Sequence, residues 1–265
     1  MSKPATTTSE ANGRYWGASA QDWAAIQEQT CSPVYEAALA RLNVGHGTRY
    51  LDAGCGAGLA AQMASARGAH VSGIDAAENL LAIARRRVPQ GDFRVGELEL
   101  LPFGADAFDV VTGFNSFQYA ASAVAALTEA RRVTQLQGRV LIMTWGNPEG
   151  MEAASLVAAL RPLLPAPPPG ASGPFALSDE AALRALAVSS GLKPIEVFDV
   201  GCPWHYASLN EALRGLRSSG VAARAIERSG VEAVDSAHTA ALAPFLQVDS
   251  SYRIGATFRC LIARA

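Results

Sequence analysis

The stretch LDAGCGAG, residues 51–58, is the most informative part of the sequence, because Gly54, Gly56 and Gly58 follow a β-forming run and precede a helical one. Glycine lets the backbone turn sharply there and approach a ligand closely. Asp75 follows 21 residues after Gly54, at the end of the next β-rich run. An acidic residue about 20 residues beyond a glycine-rich turn is placed to accept hydrogen bonds from ribose hydroxyls. The pattern predicts a nucleoside-binding site.

Short β-rich runs alternate with helical stretches on both sides of this turn. The runs cover residues 49–53, 70–75, 92–96, 108–114 and 139–145. Each parallel strand pair needs a crossover, so the alternation predicts an α/β fold with helices on both faces of a parallel sheet. Two later segments, Pro194–Tyr206 and Tyr252–Ala263, are predicted to be the sixth strand and the closing strand.

The pattern divides the chain into six parts. They are a disordered tail (1–12), an N-terminal helical cap (13–48), the nucleotide-binding core (49–146), helices with the sixth strand (147–206), a helical insertion (207–250) and the last strand (251–265). The insertion is long enough to cover a pocket. The first dozen residues have no apolar stretch of the kind that a secretory signal needs, so we expect a cytoplasmic protein.

The composition argues against several function classes. A net charge of −2 is unfavourable for a protein that binds nucleic acid over a broad basic face. No window approaches the roughly 18 uninterrupted apolar residues of a membrane span. The cysteines are too scattered for a zinc site or a disulfide framework, and no metal site is expected; they are Cys31, Cys55, Cys202 and Cys260. The arginine triplet 85–87 is predicted to be a solvated helix surface without a functional role.

Two cofactor classes fit the glycine-rich turn. GAGLAA, residues 56–61, also matches the dinucleotide fingerprint G-x-G-x-x-G/A, so an NAD(P)-dependent oxidoreductase is an alternative. Asp52 stands just before the first glycine, where a pyrophosphate would meet a like charge. The sulfonium and ammonium groups of S-adenosylmethionine (SAM) would be attracted there. Asp52 therefore favours SAM.

Residues 49–145 resemble the class I SAM-dependent methyltransferases, in particular the small-molecule branch that includes ubiquinone and menaquinone biosynthesis enzymes. Beyond the turn, the resemblance is carried by GELELLPF (96–103), FDVVTGFNSFQY (108–119) and GRVLIMTW (138–145). It implies a Rossmann-like, seven-stranded, mostly parallel sheet with an antiparallel last strand, SAM as cofactor and S-adenosylhomocysteine as product. The loop Asn-Ser-Phe-Gln at 115–118 lacks the Asn/Asp-Pro-Pro-aromatic signature of methyltransferases that act on nucleic-acid bases.

The resemblance also assigns cofactor-binding residues. It places four residues around the methionine portion: Asp52, Gly54, Gly56 and Gly58. Asp75 would hold the ribose. Glu97 stands where the family often has an aspartate at the adenine amino group, and Leu98 replaces a small residue beside the ring. Asn115 would lie near the sulfonium.

The acceptor is expected to be a small aromatic or apolar molecule of secondary metabolism, methylated by in-line displacement. Four aromatic residues are candidates for its pocket: Trp16, Phe117, Trp204 and Tyr206. His205 and His238 are the candidate general bases, since histidine titrates near neutral pH. A SAM-binding protein without catalysis has the same glycine and acidic residues and stays open as an alternative.

Overall fold

A mostly parallel sheet organises the chain in the computed structural model, which describes residues 8–166 and 174–265. The strands are β1 (Arg49–Ala53), β2 (His70–Asp75), β3 (Asp92–Val95), β4 (Phe108–Phe114), β5 (Thr134–Trp145), β6 (Lys193–Gly201), β7 (Trp204–Tyr206), β8 (Tyr252–Ile254) and β9 (Thr257–Arg264). Seven of them form one sheet in the order β3-β2-β1-β4-β5-β9-β6. β9 runs antiparallel to both of its neighbours, β5 and β6. The predicted fold class is confirmed.

Helices cover both faces of this sheet. They are α1 (Ser9–Gly17), α2 (Ala20–Asp22), α3 (Ser32–Arg41), α4 (Leu59–Ala66), α5 (Glu78–Arg87), α6 (Ala123–Val133), α7 (Ala153–Ala159), α8 (Glu180–Ser189), α9 (Leu209–Arg217), α10 (Gly220–Ser229) and α11 (Val231–Leu242). A π-helical turn (Trp23–Gln27) and a 3-10 turn (Glu28–Cys31) join α2 to α3.

Side chains of the central strands alternate between two buried cores. Tyr50 and Leu141 pack on one face with residues of α3, α4 and α5. Leu51 and Val140 pack on the other face with residues of α6 and α8. Because both faces are covered, the strands are continuous apolar runs rather than alternating ones. This burial holds the carboxyl ends of the parallel strands at one edge.

The two late β segments are each divided, which corrects the prediction of single strands. Segment 194–206 gives β6 and β7, and segment 252–263 gives β8 and β9. β7 and β8 pair with each other in a separate two-stranded sheet. Pro203 lacks a backbone N–H and cannot extend the ladder of β6, so the chain leaves the main sheet there.

The predicted tail, 1–12, is wrong for its last residues, since α1 begins at Ser9. Tertiary hydrogen bonds hold these residues: Asn12 Nδ2 donates to the Tyr119 carbonyl over 3.0 Å. Residues 1–7, and residues 167–173 of the proline-rich connector, lie outside the described residues. Within the described ranges, no helix has the length and apolar character needed to span a bilayer.

The arginine triplet is not uniformly solvated, contrary to the prediction. Arg87 forms a buried ion pair with Glu28, whose side chain is 3% exposed. Arg87 also donates to the carbonyls of Ala24 and Ala57, each over 2.9 Å. Burial raises the pKa of Glu28, and the Arg87 charge opposes that shift. Arg87 thereby connects the N-terminal helical region to the glycine-rich turn.

Replacing Arg87 with methionine keeps much of the apolar stem but leaves the Glu28 carboxylate buried without its partner. We expect the free energy of unfolding at neutral pH to fall by about 3–5 kcal/mol, measured by urea denaturation. Arg86→Met is the matched control, because Arg86 is exposed and its loss should change stability by no more than about 0.5 kcal/mol. Equal effects of the two substitutions would contradict the importance of the buried pair.

Candidate functional site

The carboxyl ends of β1, β2, β4 and β5 open into one cavity of about 1190 Å³. Helices α1, α7, α9, α10 and α11 supply much of the opposite wall. Ligands of open α/β sheets bind outside the carboxyl ends of the strands, where the strand order reverses. The volume exceeds the roughly 300–1,000 Å³ of a typical small-molecule pocket, so the cavity has room for two reactants.

The glycine-rich turn forms one wall of this cavity, and its shape depends on the absence of side chains. Gly54 has φ of +79°, and a Cβ there would lie 2.3 Å from Cβ of Ser116. The Gly54 and Cys55 N–H groups both donate to the Ile74 carbonyl, over 2.8 and 3.0 Å. The turn is thus held against the ends of β2 and β4, and a larger residue at Gly54 has no space.

Asp75, at the end of β2, stabilises the same turn through hydrogen bonds. Its Oδ2 accepts from the Gly56 N–H over 2.9 Å, and its Oδ1 accepts from the Ala77 N–H over 2.8 Å. Burial raises the pKa of the carboxyl, and these N–H bonds oppose the shift. An ionised carboxylate offers about four lone pairs. Asp75 therefore has acceptor capacity left for the hydroxyls of a ligand.

Three further predicted cofactor residues, Glu97, Leu98 and Asn115, line the cavity beside the turn. Glu97 follows β3, and its Oε1 accepts from the Ser9 hydroxyl over 2.7 Å. Asn115 has φ of +53° at the end of β4, a conformation that asparagine tolerates better than most residues. With Gly54, Gly56 and Asp75, the structure brings these residues to one end of the cavity; their contacts with a cofactor remain predictions.

Helix α1 covers this end of the cavity. The ring of Trp16 lies edge-on to Trp23, with 5.0 Å between centroids, and to Tyr119, with 5.4 Å. A Cβ at Gly220, the first residue of α10, would lie 2.6 Å from the indole nitrogen of Trp16. Trp16 therefore lies between the core and the helical insertion. It is at the end of the cavity near the glycine-rich turn rather than beside Trp204.

Four residues predicted to bind the cofactor or the acceptor are not part of the cavity lining: Asp52, Gly58, Phe117 and Tyr206. Asp52 is buried beneath the turn and accepts from the Thr112 hydroxyl over 3.0 Å. Phe117 packs in the core beneath α6. The Tyr206 hydroxyl donates to Gln27 Oε1 over 2.8 Å. In the structure these residues lie behind the residues that line the cavity.

The two candidate histidines are separated by the structure. His205 is exposed on β7, between the buried residues Trp204 and Tyr206. Alternate residues of a strand point to opposite faces, so His205 points away from the packed face of the small sheet and does not line the cavity. His238, on α11, is 2% exposed and does line it.

The end of the cavity away from the glycine-rich turn is apolar and aromatic. The Trp145 ring lies 5.0 Å from Phe258, 5.9 Å from Phe175 and 6.0 Å from Trp204 between centroids. Leu156 and Leu216 line the same region from α7 and α9; their packing cluster also includes Trp204. An aromatic or apolar molecule would find complementary surfaces at this end.

Buried polar atoms without hydrogen-bond partners are concentrated in residues that line the cavity. Within the described chain, five of the seven such atoms belong to lining residues: Trp23 Nε1, Gln118 Oε1, Thr144 Oγ1, Trp204 Nε1 and His238 Nδ1. An unsatisfied buried polar group costs about 1–3 kcal/mol. A molecule in the cavity, whether water or a ligand, could therefore form hydrogen bonds with these atoms.

Sequence reasoning missed Trp23, Thr144 and Trp145. Thr144 and Trp145 end β5, so the rule that ligands bind at the carboxyl ends of strands would have found them. Trp23 has no such signal. Its indole nitrogen lies 3.4 Å from the position that a Cβ at Gly56 would occupy, a proximity that only the packed helices create.

Burial raises the pKa of Asp52 to about 7 and the Thr112 hydrogen bond opposes it, so stability should depend on pH in a defined direction. The unfolded carboxyl titrates near pH 4. The folded chain therefore retains a proton between pH 4 and 7 that the unfolded chain releases, and the Asp52 contribution to stability is lost as pH rises through this window.

Asp52→Asn should remove this dependence. Between pH 5 and 7, the free energy of unfolding of the wild type should fall by roughly 2–3 kcal/mol relative to that of the variant, measured by urea denaturation. Comparing each protein with itself at two pH values cancels any pH-independent cost of the amide. Parallel pH profiles would show that Asp52 is ionised throughout.

Comparisons with known proteins agree with this geometry. A family profile described as "Methyltransferase domain" matches residues 51–142. The chain is 34% identical over 144 residues to a malonyl-[acyl-carrier protein] O-methyltransferase of Erwinia pyrifoliae, covering 53% of each chain. It is 32% identical over 97 residues to a demethylmenaquinone methyltransferase of Thermotoga maritima, covering 36% of this chain and 42% of the relative. The chain thus spans about half the length of the curated relatives that it matches.

The crystal structure of the [4+2]-cyclase SpnF is similar over the whole chain. Its TM-score is 0.62 at 20% sequence identity, and the match covers 100% of this chain and 98% of SpnF. Since that protein is described as a cyclase, the shared fold alone does not specify a reaction. Together, the profile match, the relatives and the sheet order show that residues 51–142 are a methyltransferase domain of the class I SAM-dependent superfamily.

Proposed function

We propose that this protein binds SAM and transfers its methyl group to a small organic acceptor. The observation that carries the proposal is a single cavity with two unlike ends. The glycine-rich turn and Asp75 form one end, and Trp145, Trp204 and Phe258 surround the other. The cavity brings a nucleoside-sized site and an apolar site together without intervening protein.

The cofactor end fits SAM in shape and in hydrogen-bonding capacity. Gly54 and Gly56 of the turn line the cavity without side chains, and Asp75 and Glu97 offer carboxylate oxygens. The Trp23 indole N–H has no hydrogen-bond partner within residues 8–166 and 174–265. When bound, SAM supplies a methyl group already activated by the sulfonium charge. The chain's own task is to hold two reactants in line and exclude water.

The oxidoreductase alternative is less well supported. The profile match and the antiparallel β9 belong to the methyltransferase fold. Asp52, which favoured SAM in the sequence, carries less of this argument, because it lies beneath the turn and outside the cavity lining. Binding of SAM without catalysis shares the same cofactor end, so turnover is the measurement that separates it from a methyltransferase.

The acceptor end favours a molecule with an aromatic or apolar body. The two named relatives differ in their acceptors, a malonyl-[acyl-carrier protein] and a demethylmenaquinone, so the acceptor has to be argued from the cavity. Much of that end is built from α7, from β7 and from the helices of the insertion. Because this end is formed partly by the insertion and is aromatic, we place the reaction in the secondary metabolism of small molecules.

His238 is our candidate for the group that accepts a proton from a hydroxyl acceptor. Its Nδ1 has no partner in the described chain. Burial, with a contribution from the Arg217 charge, lowers the pKa of His238 to about 4. The imidazole is therefore neutral at physiological pH and free to accept a hydrogen bond. Its low basicity suits an acidic hydroxyl, such as a phenol, better than an aliphatic alcohol.

Calorimetric titration with SAM, S-adenosylhomocysteine and NADH tests the cofactor. We expect the two sulfur nucleosides to bind and NADH not to bind. Asp75→Ala should weaken S-adenosylhomocysteine binding by about 1–3 kcal/mol through lost hydrogen bonds. Asp92→Ala, on the edge strand outside the cavity lining, should leave the affinity unchanged.

Asp75 also fastens the turn, so its two roles need separate readouts. The wild type should prefer S-adenosylhomocysteine to its 2′-deoxy analogue, and Asp75→Ala should lose that preference if Asp75 binds the ribose. Equal weakening of both ligands would assign Asp75 to the turn alone. Binding of NADH without the sulfur nucleosides would overturn the proposed function.

Methyl transfer from tritiated SAM to a panel of phenols and aromatic amines tests catalysis and the base. For a phenol that is methylated, His238→Ala should lower kcat by about 10²–10⁴-fold with SAM affinity unchanged. In the wild type, kcat/KM should fall only as the pH approaches the His238 pKa of about 4. His205→Ala is the matched control and should retain full activity; loss of activity in that variant instead would reverse the assignment.

A further inference from the structure

Charged side chains of both signs line the cavity. Three carboxylates line the cofactor end, from Asp75, Glu97 and Glu99. Two guanidinium groups, from Arg161 and Arg224, also line the cavity, and both side chains are exposed to solvent. Within the described ranges, the acidic residues of the lining are Asp75, Glu97 and Glu99. The cavity therefore has a negative end and a positive wall.

The two arginines stand on structural elements that pack together. Arg161 opens the 3-10 turn Arg161–Leu163 that follows α7, and Arg224 lies on α10. Leu160 packs against Ala222 and Ala225 of that helix. The two guanidinium groups therefore belong to one wall, formed by the insertion and by the turn after α7.

Neither arginine has an ion pair or a side-chain hydrogen bond with another part of the chain that the structure describes. Glu227, one turn beyond Arg224, is close enough to feel the Arg224 charge, but its hydrogen bonds are to Arg14 and to the Tyr15 hydroxyl. The structure does not describe residues 1–7 (MSKPATT) and 167–173 (PPPGASG), and these segments contain no aspartate or glutamate. The chain thus offers no carboxylate from those segments to neutralise this wall.

We infer that the methyl acceptor is an anion, with an apolar body against the aromatic end and a carboxylate or another oxyanion held by Arg161 and Arg224. This inference rests on the proposed function. A guanidinium group is planar, stays charged at physiological pH and matches an oxyanion with two parallel N–H donors. Two of them beside an apolar surface select a molecule that carries both features.

The probes for this inference are 2-naphthoate and 2-naphthamide, which have the same ring system and differ in charge. Binding of each to the protein saturated with S-adenosylhomocysteine is measured by calorimetry. We expect the wild type to bind the naphthoate at least about tenfold more tightly. The double variant R161Q/R224Q should lose this preference with unchanged affinity for the amide, and added salt should weaken it in the wild type.

A charge-matched double variant, R86Q/R131Q, controls for net charge, because neither residue lines the cavity. It should keep the naphthoate preference. Persistence of the preference in R161Q/R224Q, its absence in the wild type, or failure of both probes to bind would overturn the inference. Weaker S-adenosylhomocysteine binding by R161Q/R224Q would also overturn it, since the arginines would then serve the cofactor's carboxylate. Failure of the wild type to bind S-adenosylhomocysteine at all would instead overturn the proposed function.

Discussion

The close approach of the first and fourth strands at their carboxyl ends is the constraint on which the cavity depends. The Ser116 hydroxyl donates to the Ala53 carbonyl over 2.5 Å, and the Ser116 side chain occupies the space that a Cβ of Gly54 would need. The chain must then turn without side chains, which leaves backbone exposed at the point where the strand order reverses. Asp75 and the Ile74 carbonyl hold this turn from the second strand.

The helices at the N-terminus and in the insertion complete the cavity through a few connections. Arg87 joins the Ala57 carbonyl of the glycine-rich turn to Glu28 in the N-terminal helical region. Arg14 on α1 pairs with Glu227 on α10. The N-terminal helices therefore contact both the glycine-rich turn and the insertion.

The sheet and the helices form different parts of the cavity. This explains why proteins of this superfamily can share a fold and differ in the reaction. The sheet and its turn form the end of the cavity that we assign to the cofactor, and the profile match covers this turn. The acceptor end comes largely from segments after residue 145, where the sequence resemblance is weak. A [4+2]-cyclase shares the overall fold, so the chemistry depends on the side chains that the helices bring to the cavity.

The sheet, the turn and the acidic residue that follows it could be predicted from the sequence, because they depend on local patterns: alternating strands and helices, glycines where φ is positive, and a carboxylate at a strand end. The sequence predicted six cofactor-binding residues that the structure brings into the lining of one cavity: Gly54, Gly56, Asp75, Glu97, Leu98 and Asn115. Three features became clear only from the tertiary structure. Asp52 and Phe117 lie behind the cavity lining, His238 rather than His205 lines the cavity, and Arg87 is buried. These outcomes depend on which helix packs against which strand end, and contacts between residues far apart in the chain leave no periodic pattern in the sequence.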